Sequence, residues 1–213
     1  MMRFAGFAAI AMLTAGCSNL LHSEAQPVQV YVLRATGAGS AAVESNVATL
    51  PSVQLPRPSA DPGLATESIV LVRSDHRMDY YLGSRWAGEL PDIVETLALD
   101  TLRASGKWGA VHESPSPFLA DYLLQINIRR FEADYTGGNA APKVHVVLDC
   151  TLAKRVGREL VTSFVAEADA DATENRLSAV VTAFETAANA ALVTLADRSA
   201  AAARIGSPQS PGG

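Results

Sequence analysis

The usual raw material of catalysis is scarce in this 213-residue chain. Its four histidines, His22, His76, His112 and His145, fall in separate segments, with no HxxxH or CxxC spacing that would set two ligands on one metal. No GxSxG elbow offers a serine nucleophile, and no glycine-rich loop joins strand to helix as a phosphate cradle must. Gly37-Ala38-Gly39 is followed by no helical pattern and reads as linker. Asp92 and Glu95 could be imagined as an acid–base pair, but they open a helical pattern, where carboxylates serve the macrodipole. These absences point away from an enzyme, a metal site and a cofactor. Positive charge is short as well: the formal net charge of −5 argues against nucleic acid and against electrostatic capture by anionic lipid.

Long apolar runs are missing except at the front. A single positive charge at Arg3 precedes the run from Phe4 to Leu13, too short to span a bilayer as a permanent helix. The run ends in Leu13-Thr14-Ala15-Gly16-Cys17, small residues before a cysteine, as a lipoprotein signal peptidase requires. The stretch resembles a bacterial lipobox, with Thr14 where Leu is commonest. The expectation is a signal peptide over 1–16, acylated Cys17 with palmitate among its chains, and a polar tether over 17–27. Two or three acyl chains bury enough methylenes to make release from a membrane very slow. Ser18 stands where an Asp would, by resemblance to other lipoproteins, signal inner-membrane retention, so the outer membrane is the expected address. The competing reading, an ordinary signal cut near Ala15, leaves Cys17 a free thiol without a role. Cysteine itself is nearly absent. Cys17 and Cys150 are the two, and Cys150 lies on the apolar side of Val144-Val146-Leu148-Cys150-Leu152, as a buried small hydrophobe would.

What remains is a chain 48% apolar and 18% charged, enough for a core and too apolar for a disordered adaptor. The best-formed unit runs from Tyr80 to Val111. Leu90, Ile93, Val94, Leu97, Thr101 and Ala104 keep helical spacing, Pro91 suits a first turn and Gly106 a left-handed C-terminal cap. Glu89, Asp92 and Glu95 at its start, with Arg103 and Lys107 at its end, complement the macrodipole. Ahead of it Met78, Tyr80 and Leu82 alternate with Asp79 and Tyr81 as a half-buried strand would, and Gly83-Ser84 reads as a turn towards Arg85-Trp86.

Strands are expected at Val28 to Leu33, at Ser52 to Leu55, and at Ser68 to Arg73. Pro51, Pro56 and Pro58 restrict the second to an edge or strand end, and the third is a continuous apolar run covered on both faces. Thr36 to Thr49 reads as a flexible loop. Trp108 to His112 is a brief strand. Tyr122 onward, Lys143 to Lys154 and Glu159 to Asp169 form an antiparallel meander, with a bulge where Phe131 breaks the alternation. A last helix runs from about Asn175 to Ala200, capped by Thr173 or Asn175, its face built from Leu177, Val180, Val181, Phe184 and the small residues that follow. The domain is expected over 28–200, with a disordered tail over 201–213. The fold class is α+β, two layers, a mixed and mostly antiparallel sheet with two long amphipathic helices on one face.

For binding, the candidates are Tyr81, Arg85 and Trp86, with Tyr80 beside them, because aromatics and arginine concentrate interface energy. The alternative is that Trp86 only staples the helix start to the core. The segments YVL at 31–33, LATESIVLVR at 64–73, YYLGSRWAGELPDIVETLALDTL at 80–102, ADYLLQINIRRFEAD at 120–134 and AVVTAFETAANAAL at 179–192 together resemble the ABC-type transport auxiliary lipoproteins. That resemblance implies a non-catalytic, periplasm-facing lipoprotein working with an ABC permease, its ATPase and an MCE (mammalian cell entry) domain subunit. Such systems move phospholipid or other hydrophobic cargo. On this reading Cys17 holds the domain at the outer membrane while a sheet edge or the Tyr81–Trp86 surface docks the MCE subunit. Two other readings stay open: a periplasmic lipid carrier, and a structural outer-membrane assembly lipoprotein.

Overall fold

The structure, a computed structural model, describes residues 27–36 and 50–206. The signal peptide, Cys17 and its tether, most of the 36–49 loop and the tail from 207 lie outside the described residues. In chain order the elements are β1 (Gln29–Tyr31), β2 (Ser52–Leu55), β3 (Ser59–Ala60), β4 (Ser68–Val72), β5 (Met78–Trp86), α1 (Leu90–Ala104), β6 (Ala110–Glu113), β7 (Tyr122–Asp134), β8 (Lys143–Lys154), β9 (Leu160–Asp171) and α2 (Leu177–Gly206). This is an α+β fold with one mixed sheet and two helices.

The sheet is organised by β7. Along one edge it pairs with β8 from end to end, and β8 pairs with β9, giving the antiparallel meander that its short turns dictate. Its other edge is divided among three short parallel strands. β2 joins at Tyr122-Leu123, β3 at Asn127-Ile128 and β4 at Ala133-Asp134. β6 then extends the sheet beyond β2, while β5 and β1 extend it beyond β4. The antiparallel ladders are the long ones. The parallel ladders hold two to four residues each.

On the meander the side chains alternate cleanly. Val144, Val146, Leu148, Cys150 and Leu152 are each at most 1% exposed, while the residues between them face a polar side. The register of β7 against β8 slips between Ile128 and Arg130, the bulge that Phe131 signalled, and it returns Phe131 to the buried face. α2 lies across β7, β8 and β9, and its Arg198 guanidinium stands 4.6 Å from the Phe164 ring of β9. By length and composition α2 is apolar enough to cross a membrane, yet Val180, Phe184, Ala187, Ala191 and Leu195 are buried as its inner face. Alanines on that face let helix and sheet approach closely. α1 packs beside it and against β6.

Of the two places the prolines allow, the structure takes the strand end: Pro51 and Pro56 flank β2 without interrupting it, so both its edges stay free to pair, with β6 and β7. Three expectations need correcting. Gly83-Ser84 does not turn the chain; β5 runs through it, with Gly83 at φ 66° absorbing a bulge between the Ser68–Arg85 and Val70–Tyr80 pairs. Met78, Tyr80 and Leu82, taken for the buried side, are 45%, 40% and 93% exposed, because that bulge changes which parity faces the core. The last helix does not stop near Ala200 but continues to Gly206, so residues 201–206 are helix and not tail. The two-residue β3, between prolines and turn residues, has no counterpart in the sequence reading.

Candidate functional site

The corner formed by β1, β5 and the start of α1 holds the residues that the sequence singled out, and the bulge sorts them. Tyr81 turns inward. Its hydroxyl lies 2.8 Å from that of Tyr135, which in turn donates to Oδ1 of Asn175 at 2.7 Å, just ahead of α2. Burial, then the Tyr135 bond, raises the Tyr81 phenol well above its ordinary range, so it stays neutral. Trp86 also turns inward and is 1% exposed, edge-on to Phe131 at 6.1 Å and to Phe184 at 5.3 Å. Its ring is core and cannot be the surface a partner touches. Arg85 turns outward, about half exposed, and forms an ion pair with Glu67. Structure thus brings the three together on one strand but leaves Arg85 and Tyr80 as the ones facing solvent.

The sequence reading missed what lies beside them. β1 pairs in parallel with β5, Val30 opposite Arg85 and Tyr31 opposite Trp86, and its outer edge has no strand partner among the described residues. Tyr31 packs against the core and Leu33 and Ala35 are buried in it, which leaves Val28, Val30 and Val32 exposed at 56%, 50% and 51%. The run VQVYVL is apolar on both parities, so alternation alone could not choose. The line past β1 is fixed by α2: the amide of Arg34 donates to Glu185 at 3.0 Å, and Asn189 bonds both the Thr36 amide and the Arg34 carbonyl.

Between the end of β1 and the first turns of α1 lies a shallow groove of about 220 Å³ lined by Val32, Leu33, Ala87, Ile93 and Leu97. Arg57 clamps the entry of α1 by holding both Glu89 (2.6 Å) and Asp92. Those two carboxylate bonds, Asp92 first, raise the Arg57 pKa still further, so the guanidinium is permanently charged. Asp92 is therefore engaged as a clamp. The Glu95 carboxyl is raised by partial burial and then by Asp92 and Glu113 nearby, with no proton acceptor arranged beside it. Cys150 is 1% exposed, and burial pushes its thiol up to about 12, which makes it a core residue and no nucleophile.

A second polar feature sits at the β7–β8 hairpin. His145 Nδ1 lies 2.6 Å from Asp169, and its Nε2 3.6 Å from Asp134, over a pocket of about 230 Å³. Arg130 binds Glu132 at 2.7 Å and Asp134 at 3.3 Å. The Arg130 guanidinium and the His145 ring are each placed between two carboxylates. Among the described residues no three His, Cys, Asp or Glu side chains converge as a metal site would require. The arrangement can present an edge and an apolar strip to another molecule; it holds no nucleophile next to a base.

Comparison with known proteins gives a consistent result. A family model described as the ABC-type transport auxiliary lipoprotein component matches residues 31–196. A crystal structure of a Xanthomonas campestris protein superposes with a TM-score of 0.70 at 23% identity, covering 83% of this chain and 96% of that one. A second crystal structure, of an uncharacterised protein, gives 0.59 at 15% identity, over 85% and 99% of the respective chains. At these identities the likeness speaks for the fold alone. No curated protein matches the sequence.

Proposed function

The chain belongs to the family of ABC-type transport auxiliary lipoprotein components, and from that premise we propose that it is a non-catalytic docking subunit. Acylated Cys17 holds it at the outer membrane, facing the periplasm, where it receives the MCE-domain subunit of a lipid-transporting permease and ATPase. The observation that carries this reading is the edge of β1, which has no strand partner among the described residues and has Val28, Val30 and Val32 exposed along it. A bare strand edge offers main-chain donors and acceptors to an incoming extended segment, and alternate exposed valines offer it apolar contact. Tyr80, Leu82 and the Arg85–Glu67 pair continue that surface. Among the described residues Trp86, Phe131 and Phe184 fill the space between α2 and the sheet at this corner, which weighs against carriage of lipid there.

Val30→Lys places a charge at the middle of the edge without touching the core. We expect roughly a tenfold loss of co-purification with a tagged MCE subunit from detergent-solubilised membranes, with the thermal midpoint unchanged. Undiminished co-purification by a folded variant would move the docking surface elsewhere.

A further inference from the structure

Just past β1, side chains of α2 supply what a neighbouring strand would. Alternate residues of a strand turn their main-chain groups to opposite sides, and the Ala87 amide, donating to the Tyr31 carbonyl at 2.9 Å, fixes the parity. Gln29 and Tyr31 face β5, and Val30 faces away from it. The same outward parity reaches Arg34 and Thr36, whose main-chain groups are bonded to α2. There the Asn189 side chain stands in for a residue opposite Ala35. Its Nδ2 donates to the Arg34 carbonyl at 2.9 Å and its Oδ1 accepts the Thr36 amide at 2.7 Å, the two bonds that one residue of a parallel strand would make. Nδ2 also donates to the Glu185 carbonyl at 2.8 Å, so both donors and the acceptor of the group are engaged and its orientation is set. Glu185, one turn earlier on the same side of α2, accepts the Arg34 amide on its carboxylate at 3.0 Å. The edge is closed from Arg34 onward by two side chains and is open over Val28 to Val32.

Glu185 leaves a charge to be matched at the end of that opening. Its half-buried carboxylate bonds a neutral amide, and among the described residues no lysine, arginine or histidine lies within ion-pair reach of it. Nor do 17–26, 37–49 and 207–213 contain a lysine or arginine, and Arg3 lies in the expected signal peptide. The outward main-chain groups of the edge suit an extended polypeptide and nothing in a lipid tail, and the Glu185 charge repels an anionic bilayer. Charge complementarity then fixes one more feature of the occupant.

We propose that the open edge accepts a short extended segment of the MCE subunit, apolar at alternate positions along Val28 to Val32 and carrying a lysine or arginine where it meets Glu185. The inference deepens the β1-edge reading and rests on it: Asn189 and Glu185 end the pairing, and Glu185 selects the segment by charge. Glu185→Gln tests this in the full acylated chain, because the glutamine oxygen still accepts the Arg34 amide while the charge is gone. Membranes carrying a tagged MCE subunit, a tagged permease and a differently tagged second copy of this chain should yield about fivefold less MCE subunit with this variant at low salt. The gap to the parent chain should close by ~0.5 M salt, with amide hydrogen exchange at Arg34 and Thr36 as slow as in the parent. Should Glu185→Gln fail to fold, Thr182→Lys, at an exposed position one turn away on α2, masks the same charge. A loss accompanied by faster exchange at Arg34 and Thr36 makes Glu185 a brace for the backbone and overturns the proposal, as does a loss that salt does not narrow. Charge-dependent capture of the second copy or of the permease in place of the MCE subunit overturns it too. Undiminished capture by Glu185→Gln while Val30→Lys impairs it removes the charge selection and leaves the β1-edge reading standing. Undiminished capture by both variants removes both.

Discussion

Trp86 and Arg85 are neighbours in sequence with opposite duties, and single substitutions separate them. Trp86→Leu removes an aromatic that bridges Phe131 of the sheet and Phe184 of α2, and truncating a fully buried ring costs about 3 kcal/mol. Arg85→Ala breaks a half-exposed ion pair worth no more than about 1 kcal/mol. Urea titration of both variants should show a large drop in midpoint for the first and almost none for the second. Equal drops would mean that the Arg85–Glu67 pair holds the corner together. At this scale the sequence was partly legible. The parity of Cys150 and the break at Phe131 follow from alternation and a well-defined bulge. The inward turn of Tyr81 does not, because it depends on the bulge at Gly83, and a glycine at positive φ serves a turn and a bulge equally well.

Among the elements, the β7–β8 hairpin is where acidity should act. Burial alone would raise the Asp134 carboxyl. It is outweighed by bonds from Thr136, whose amide donates at 2.7 Å, and by His145 and Arg130, so Asp134 is held below the ordinary carboxylate range. A carboxylate lowered on folding stabilises the fold above the unfolded pKa, about 4, and that contribution is lost as pH falls through the folded value. Asp134→Asn should therefore cost about 1 to 2 kcal/mol at pH 7, with the gap to the parent chain closing below pH ~4. Urea midpoints measured at both pH values check this, and a gap constant with pH would assign the loss to packing. α1 and the long face of α2 were readable because helical periodicity, Pro91 and Gly106 act locally. Its extension to Gly206 was not, since Ala200 to Ala203 carry no pattern beyond helix propensity. Whether β2 lies at an edge or inside the sheet was not readable, because flanking and interrupting prolines look alike in sequence and its parallel partners lie far along the chain.

For the whole molecule, the architecture could be inferred from the order of elements, whereas the forked edge of β7 could not, because nothing local records which strands share it. The exposed apolar strip of β1 arises where the sheet stops, outside any periodic signal. The lipoprotein assignment makes a plain demand at this scale. Cys17→Ser should move the protein from the membrane fraction to the soluble fraction with its thermal midpoint unchanged, since the domain core begins beyond Pro27. Retention in the membrane fraction would place the anchor elsewhere.

The division of one β7 edge among β2, β3 and β4 also bears on the order of assembly. A chain delivered from its N-terminus can pair its early strands only in two separate groups, β1 and β4 with β5 and β2 with β6, and these have no common template until Tyr122–Asp134 has emerged, more than half-way along. Those segments must wait as separate pieces, and their non-local closure makes for slow folding. A polypeptide that cannot finish its sheet early stays threadable for longer, a useful trait in one that, on the function proposed above, passes through a membrane before it folds.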